Sequence, residues 1–356
     1  MQKRKISIKN LASKQIIIPL AALLLLVIFN LINDYTFFSI EWGQNAAGGS
    51  ILTGSIISIL DEASELAILA IGMTLVTAAS GGQDISVGAG IAITGSATLK
   101  IIFNPNFGEG TAVILAILMA VLAGVICGAF NGVLVSAFKI PPMVATLILF
   151  TAGRSIGSWI LGGGNDNATN GIFLKIGQYI PGIPIPTTIL VTAVVIILFA
   201  LIFKFTNLKL YMQAVGINSQ SSRLNGLNPT MIKFLSFVIL GICVGICGVL
   251  NTSRIGTINH SSCAKDIEMD AILAVALGGN ALSGGKFSVT GAILGAYIIQ
   301  FLQKTLYKIQ VPASALYAFK AVVVIVLVIF SAPVVRESIS RNWKKLTSKK
   351  SSKEVA

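Results

Sequence analysis

Two polar, glycine-rich stretches interrupt an otherwise apolar chain. The first runs Gly81-Gly82-Gln83-Asp84-Ile85-Ser86-Val87-Gly88 and the second Gly278-Gly279-Asn280-Ala281-Leu282-Ser283-Gly284-Gly285, and we call them the first and second glycine frames. Both have glycine at the first, second and eighth places, an aliphatic residue at the fifth and serine at the sixth. Glycines let backbones approach closely, and polar backbone at membrane depth is tolerated only where protein buries it or it lines a cavity. The frames either form helix-to-helix turns or wall a solute pathway, and their recurrence between apolar runs favours the pathway.

The side chains of the frames suit hydrogen bonding to a hydroxylated solute. The candidate pathway residues are Gln83, Asp84, Ser86, Asn280 and Ser283. Asp84 stands just before an apolar run, so it also fits a helix N-cap. Asp270, beside Glu268 at the start of another apolar run, has the same two interpretations.

The composition defines the elements that must position these groups. The chain has 356 residues, 54% hydrophobic and only 11% charged, with a mean hydropathy of +0.86. A helix needs about 18 or more apolar residues to cross a bilayer. We therefore predict an all-α membrane protein with helix breaks at the two frames, and one transmembrane domain over residues 15–334. About ten crossings are predicted, near 15–33, 56–80, 85–103, 111–137, 143–161, 187–206, 232–252, 267–283, 287–303 and 315–334.

The positive charges orient this arrangement. Residues 1–14 and 335–356 form basic tails, and ten crossings place both tails on one side. That side receives eighteen of the 26 Lys and Arg residues, the other side receives six, and Arg154 and Lys320 lie within helices. Basic segments favour the cytoplasmic side and anionic lipid. Both termini are therefore predicted to be cytoplasmic, and the net charge of +13 does not indicate nucleic-acid binding.

The sequence contains no pattern that predicts a metal site, a cofactor site or a catalytic group. The four cysteines lie in apolar surroundings, where Cys243 and Cys247, one helical turn apart, are typical of packing, and the single His260 has no second imidazole. Gly284-Gly285-Lys286 resembles the end of a phosphate-binding loop, but Asn280 and Phe287 replace its required residues. The chain itself is not predicted to bind ATP or to be an enzyme.

Three connecting segments carry further predictions. Residues 36–55 allow a short interfacial helix, and 162–186 form the longest external loop. In the loop 207–231, Asn218 or Ser219 caps a short helix through Leu224, which Gly226 ends before Pro229. This loop is either an ordinary connector or a surface that a motor subunit grips.

Four blocks in order carry a resemblance to a known family. They are the first glycine frame, Ile140–Leu147 with Arg154, Ala214–Asn218 with Arg223 and Gly226, and Glu268–Ile272 through the second frame. Over residues 56–330 the chain resembles permease subunits of bacterial sugar ABC importers, the ribose and galactose permease family. Leu69–Val76 and Ala145–Leu149 look most like the galactofuranose-type permease.

The resemblance implies the partners and the place of the chain. A second permease chain, identical or different, two cytoplasmic ATPase modules and an extracytoplasmic sugar-binding protein would assemble with it in the bacterial cytoplasmic (inner) membrane. Its ATPase coupling loop, 207–231, would act through Gln213, Gly216, Asn218, Arg223 and Gly226. The chain departs from the family pattern at Gln83, where the departure bears on the substrate, and at Gln213 and Ser221-Ser222, where it bears on the ATPase partner.

Two further expectations complete the interpretation. Arg154 is expected to pair with a carboxylate, because an unpaired guanidinium facing lipid is costly. The alternative function is an ion-coupled secondary transporter of a small polar solute, against which the sparse intramembrane carboxylates argue.

Overall fold

A computed structural model describes residues 17–44, 49–164, 167–312, 315–316, 318–322 and 325. The two basic tails and most of the tenth predicted crossing lie outside these residues. The helices are α1 (Ile17–Asn33), α2 (Ser55–Ser80), α3 (Val87–Ile102), α4 (Glu109–Ser136), α5 (Pro142–Leu161), α6 (Gly171–Gly177), α7 (Thr187–Phe205), α8 (Leu208–Ile217), α9 (Ser219–Leu224), α10 (Pro229–Ile255), α11 (Ile267–Leu277) and α12 (Val289–Lys308). Further helical residues lie at 318–322.

The predicted helical membrane architecture is confirmed in outline. Four of the described helices, α4, α5, α7 and α10, are long and apolar enough to cross a membrane. The helices α1 and α3 are apolar but shorter. Helices breaking at both glycine frames are also present, since α2 ends at Ser80, α3 begins at Val87, α11 ends at Leu277 and α12 begins at Val289. The count of ten crossings and the side of each terminus remain predictions.

The segment before α2 corrects the predicted fold. Instead of an interfacial helix over 36–55, it contains a short 3-10 helix, Tyr35–Phe38, and an antiparallel hairpin of β1 (Glu41–Gln44) and β2 (Ser50–Thr53). Aromatic and β-branched side chains in these strands favour extended backbone. The Leu52 N–H also donates to the Pro184 carbonyl at 2.9 Å. Hydrogen bonds from Thr36 to Asp34 begin the 3-10 helix and lower the pKa of that carboxyl. The chain is therefore not wholly α.

The core is built around α2 and α10. Every residue of α2 from Ala63 to Ala79 is buried, so this helix is enclosed by others on all sides. Helix α10 packs against α2, α3 and especially α4. Glycines spaced four apart, Gly124 and Gly128 on α4 with Gly241 and Gly245 on α10, let the two backbones touch. On the other face of α10, Cys243 and Cys247 are fully buried against α2, which fits the predicted packing role.

Two short helices begin at the same point deep in the bundle. A Cβ added at Gly90 would lie 2.8 Å from Val244, which is near the centre of α10. One added at Gly88 would overlap the Glu268 carboxylate and lie 2.6 Å from the Ala264 carbonyl oxygen. The first turns of α3 and α11 are therefore neighbours at the level of the middle of α10. From there α3 runs towards the Ile255 end of α10, and α11 runs towards α8.

Candidate functional site

The two glycine frames meet each other at one end of the bundle. Gly81, Gly284 and Gly285 adopt left-handed backbone, with φ of 70°, 93° and 76°. A Cβ at Gly81 would lie 2.9 Å from the Ser283 carbonyl oxygen, and a Cβ at Gly284 would lie 3.0 Å from the Gly81 Cα. Only glycine fits such turns without strain. The frames, separated by about 200 residues in the sequence, thus form one backbone-to-backbone junction.

Helix α8 packs onto this junction. The Gly285 N–H donates to the Ala78 carbonyl at 3.2 Å, and Gly216 of α8 lies directly against the same carbonyl. A Cβ at Gly285 would lie 2.7 Å from the Ile217 side chain. The predicted coupling loop therefore touches the end of α2 and the second frame, and the second frame in turn touches the first frame at Gly81. We call this contact region the frame junction: residues 78–83, 216–217 and 282–285.

Two of the candidate pathway residues, Gln83 and Asn280, use their side chains to bond to backbone groups at or beside the second frame. The Gln83 amide donates to the Leu282 carbonyl at 2.9 Å and is almost fully buried. The Asn280 amide donates to the Val275 and Ser288 carbonyls, and its oxygen accepts the Ser288 N–H at 2.6 Å. Asn280 thus joins the end of α11 to the start of α12. Ser283 is exposed and meets Gly81 through its backbone.

Asp84 and Ser86 form a buried polar cluster with a residue that the sequence prediction missed. Asp84 is 3% exposed and accepts hydrogen bonds from the Ser86 N–H at 2.7 Å and hydroxyl at 2.6 Å. The Asn131 amide of α4 donates to Asp84 at 3.1 Å and to the Ser86 hydroxyl at 2.9 Å. Ser86 is the N-cap of α3, so Asp84 shapes the turn before that helix. A void of about 10 Å³ beside them has room for one water at most.

Two charged side chains lie close to the first turn of α3: Glu268 at the start of α11 and Arg154 of α5. Glu268 is 2% exposed, and its Oε2 has no hydrogen-bond partner among the described residues. Arg154 of α5 lies nearby, and its Nη2 donates to the Cys263 carbonyl at 3.5 Å. The expectation that Arg154 pairs with a carboxylate was wrong, because no described acidic oxygen lies within 4.0 Å of its guanidinium. The Arg154 guanidinium is instead paired with a backbone carbonyl of the loop before α11.

Asp270, the remaining candidate pathway residue, forms an ion pair. Its carboxylate contacts the Lys320 ammonium at 2.6 Å, and both side chains are largely buried. Lys320 also reaches the Gln303 side chain of α12 at 3.5 Å. The pair therefore ties α11 to the helical segment 318–322 and to α12. Burial of a single charge without its partner is costly, which gives Asp270 a structural task that neither sequence interpretation included.

A second charged cluster lies at the opposite end of α2 from the frame junction. Arg254, at the end of α10, contacts Asp61 at 3.2 Å and Glu65 at 3.5 Å. The Asn251 amide donates to Glu65 at 3.1 Å, and the Thr188 hydroxyl donates to Asp61. The cluster links α2, α7 and α10. The acidic residues one turn apart in α2 were a visible signal, but their basic partner is almost 190 residues away.

The loop 207–231 contains the predicted short helix and one more. Helix α9 is capped by the Asn218 side chain, which accepts the Ser221 N–H at 2.9 Å, and it ends before Gly226, whose φ is 81°. These boundaries are confirmed. Gln213 and Gly216 lie in the preceding helix α8, which was not predicted. Leu224 is 89% exposed and Ile217 is 74% exposed, so this helical pair presents large apolar side chains outside the core.

A cleft of about 830 Å³ opens between α9 and the adjacent ends of α4, α5 and α10. It is lined by Arg223 of α9, Lys139 after α4 and Lys233 of α10, together with Gly226 and polar residues around it. Arg223 and Gly226 were predicted as coupling residues. Lys139 and Lys233 were not, because only the fold brings them to the same place.

The chain is similar to known permease proteins over most of its length. The family model described as branched-chain amino acid transport system / permease component matches residues 55–331. The fructose import permease protein of Bifidobacterium longum is 34% identical over 350 residues, covering 95% of this chain and 93% of that protein. The galactofuranose transporter permease protein of Escherichia coli is 35% identical over 280 residues, covering 78% and 80%. The ribose import permease protein of Haemophilus influenzae is 32% identical over 317 residues, covering 87% and 90%.

The family match covers the described structure from α2 onward. Residues 55–331 begin at the first residue of α2 and include both glycine frames and the α8–α9 pair. The four sequence blocks that suggested a sugar permease all lie within this range. The chain belongs to the family of membrane permease components described as the branched-chain amino acid transport system permease, together with relatives named as sugar import permeases.

Proposed function

We propose that the chain is the transmembrane permease subunit of an ATP-binding-cassette importer and forms part of the pathway for a monosaccharide. Three relatives, named for fructose, galactofuranose and ribose, align over most of the chain and support a sugar of this size. The structural observation that carries the proposal is the frame junction. There, the connecting helix α8 contacts the end of α2 and the second glycine frame, so a force on this connector reaches the interior.

The ATPase would seat on the α8–α9 pair. Leu224 and Ile217 are exposed, as are Leu210 and Tyr211 of α8, and large exposed apolar side chains near one another mark protein contact sites. Gly216 holds α8 against the end of α2, so movement of the seated ATPase would shift the frame junction directly. Hydrolysis would belong to that separate subunit, in keeping with a permease component that is not itself an enzyme.

The membrane orientation follows from this seat. The α8–α9 end would be cytoplasmic, and ten crossings would place both basic tails there, as the positive-inside bias favours. The Asp61, Glu65 and Arg254 cluster would then lie towards the outside, where it holds α2, α7 and α10 together. A bacterial inner membrane, an external sugar-binding protein and two ATPase modules complete the proposed assembly.

The sugar pathway would run between this chain and a second permease chain. Thr151 and Ser155 are exposed on α5, Arg154 is partly exposed beside them, and Lys265 is exposed next to the start of α11. Gly153 packs on Ala89 in the first turn of α3, which places this group level with the centre of α10. Ionisable groups at that depth are costly against lipid, so they face a partner or a water-filled path.

The frame residues take a different part in this proposal from the one the sequence suggested. The hydrogen bonds of four frame residues are made to other groups of the protein; these residues are Gln83, Asp84, Ser86 and Asn280. We assign them to hold the turns that move during transport, with sugar contact left to the exposed polar face of α5 and the loop before α11. A sugar pathway of this kind needs only weak contacts, because the binding protein delivers the solute.

Uptake by cells tests this function. A strain lacking the chain should lose high-affinity uptake of one labelled monosaccharide among fructose, galactose and ribose, and plasmid-borne wild type should restore it. Uptake that continues after collapse of the proton and sodium gradients, while ATP is maintained, supports the importer. Uptake that stops with the gradients and continues without ATP would establish the ion-coupled alternative instead.

A further inference from the structure

The cleft beside α9 has an unusual electrostatic character. Lys139, Arg223 and Lys233 come from three different elements and line the same space of about 830 Å³. No Asp or Glu occurs among the described residues that line it. Within the described part of the chain, none of these three cations forms a salt bridge. Three unneutralised positive charges in one concave space attract an anion.

Two long helices add to this field. Helices α5 and α10 both begin at the cleft, at Pro142 and Pro229, and a helix N-terminus carries partial positive charge. Each helix starts with proline, which has no N–H to donate. The helix ends therefore contribute their dipoles, while the cations and the amide and hydroxyl groups of Gln220, Asn228 and Thr230 supply the hydrogen bonds.

The backbone conformation of Lys139 also supports an anion site. Its φ of 58° lies in the left-handed region, which glycine adopts readily and lysine does not. Strained backbone of this kind persists where a side chain has a task that the surrounding structure supports. Here a strained position between α4 and α5 carries a cation instead of the glycine that would suit the turn.

We propose that this cleft binds a phosphate-bearing anion, either a phospholipid headgroup or a small free phosphate compound. Its volume matches that of small-molecule sites, and its convergent cations and donors suit a phosphate. An acidic segment of a partner protein fits less well, because Leu224, the exposed apolar residue next to Arg223, does not line the cleft. An anion held there would bridge α9 to the ends of α4 and α10. This inference does not rest on the proposed function.

The test uses the purified full chain and inorganic phosphate. In detergent stripped of phospholipid, phosphate at constant ionic strength should raise the unfolding temperature with saturation, followed by tryptophan fluorescence. The triple variant Lys139→Gln, Arg223→Gln, Lys233→Gln should lose this shift. Its matched control removes three exposed cations elsewhere, Lys100→Gln, Lys175→Gln and Lys204→Gln, and should keep the shift.

A second variant separates binding from folding. Lys139→Gly relaxes the left-handed turn, so it should unfold at a higher temperature than wild type without phosphate, yet bind phosphate at least about tenfold more weakly. Nanodiscs of phosphatidylglycerol compared with phosphatidylcholine identify the source. A cleft-dependent stabilisation by phosphatidylglycerol that free phosphate does not compete away supports a lipid headgroup, and competition supports exchange with free phosphate.

Three results would overturn the proposal. The first is the absence of a saturable response to phosphate together with no difference between the two lipids. The second is a phosphate response that survives unchanged in the cleft triple variant. The third is a cleft-dependent response to polyglutamate alone, which would make the cleft a docking surface for an acidic protein segment.

Discussion

Replacing Gly216 by alanine tests the contact between α8 and the end of α2. Gly216 lies in a helix, where alanine is intrinsically better by about 1 kcal/mol. An added Cβ would, however, lie 1.7 Å from the Ala78 carbonyl oxygen. We therefore expect Gly216→Ala to disrupt the frame junction, although the local sequence change favours the helix.

The size of the effect follows from the geometry. Real Cβ atoms keep at least 3.0 Å from such neighbours, so α8 and α2 must separate by at least about 1.3 Å. The new methyl group would also lie 2.9 Å from the Gly285 nitrogen and weaken its hydrogen bond to Ala78. Overpacking costs about 1–3 kcal/mol and a lost hydrogen bond about 1 kcal/mol. After the gain in helix propensity, a net loss of about 2 kcal/mol is expected.

The assay is thermal unfolding of the purified chain, followed by ATP hydrolysis in the assembled complex. Gly110→Ala is the matched control, because Gly110 is also helical and nothing lies within 4 Å of its added Cβ. Gly216→Ala should unfold about 3 °C lower than wild type, because the unfolding entropy of a chain of this length is large, and it should lose stimulated ATP hydrolysis. Gly110→Ala should unfold at the same temperature as wild type or slightly higher, and should keep stimulated hydrolysis. Equal stability and coupling in the two variants would refute the role assigned to the frame junction.

Three other substitutions test separate parts of the structure. Asp270→Leu or Lys320→Leu alone should lower the free energy of unfolding by about 3–5 kcal/mol, and the double variant should recover much of this loss. Thermal unfolding measures the loss in each variant. Additive losses in the double variant would contradict the ion pair. Asn131→Leu should cost about 1–3 kcal/mol by removing a donor to buried Asp84, and unchanged unfolding would show that the donor is dispensable. Leu224→Asp should leave stability within about 0.5 kcal/mol but lower ATPase capture at least tenfold, whereas equal capture would exclude Leu224 from the docking surface.

Local signals in the sequence predicted much of the helical structure. Runs of apolar residues set the positions of α4, α5, α7 and α10, since a helix must match the hydrocarbon thickness. The boundaries of α9 followed from capping chemistry, because Asn218 can accept a first-turn N–H and Gly226 can adopt left-handed backbone. The hairpin before α2 was missed, because its strands are only four residues long and because its Leu52 N–H donates to the carbonyl of Pro184, which is distant in the sequence.

The candidate site was predictable only in part because its contacts are long-range. The repeated glycine pattern indicated that the two frames are alike, but not that Gly81 touches Ser283 or that Gly216 touches Ala78. A chemical argument for Asp270 likewise could not identify Lys320, fifty residues later, as its partner. One further signal was available: the four-residue spacing of Gly124 and Gly128 is typical of close helix packing, which α4 and α10 show.

We propose that this chain is a permease to which a separate ATPase binds at α8–α9. The most direct measurement is purification of the tagged chain from its native membrane in mild detergent, with mass identification and an ATP hydrolysis assay of what co-purifies. We expect an ATPase subunit whose activity rises when the sugar-binding protein and sugar are added, together with one kind of permease chain or two. A chain that purifies without any ATPase, and that supports gradient-driven uptake by itself in liposomes, would contradict this account.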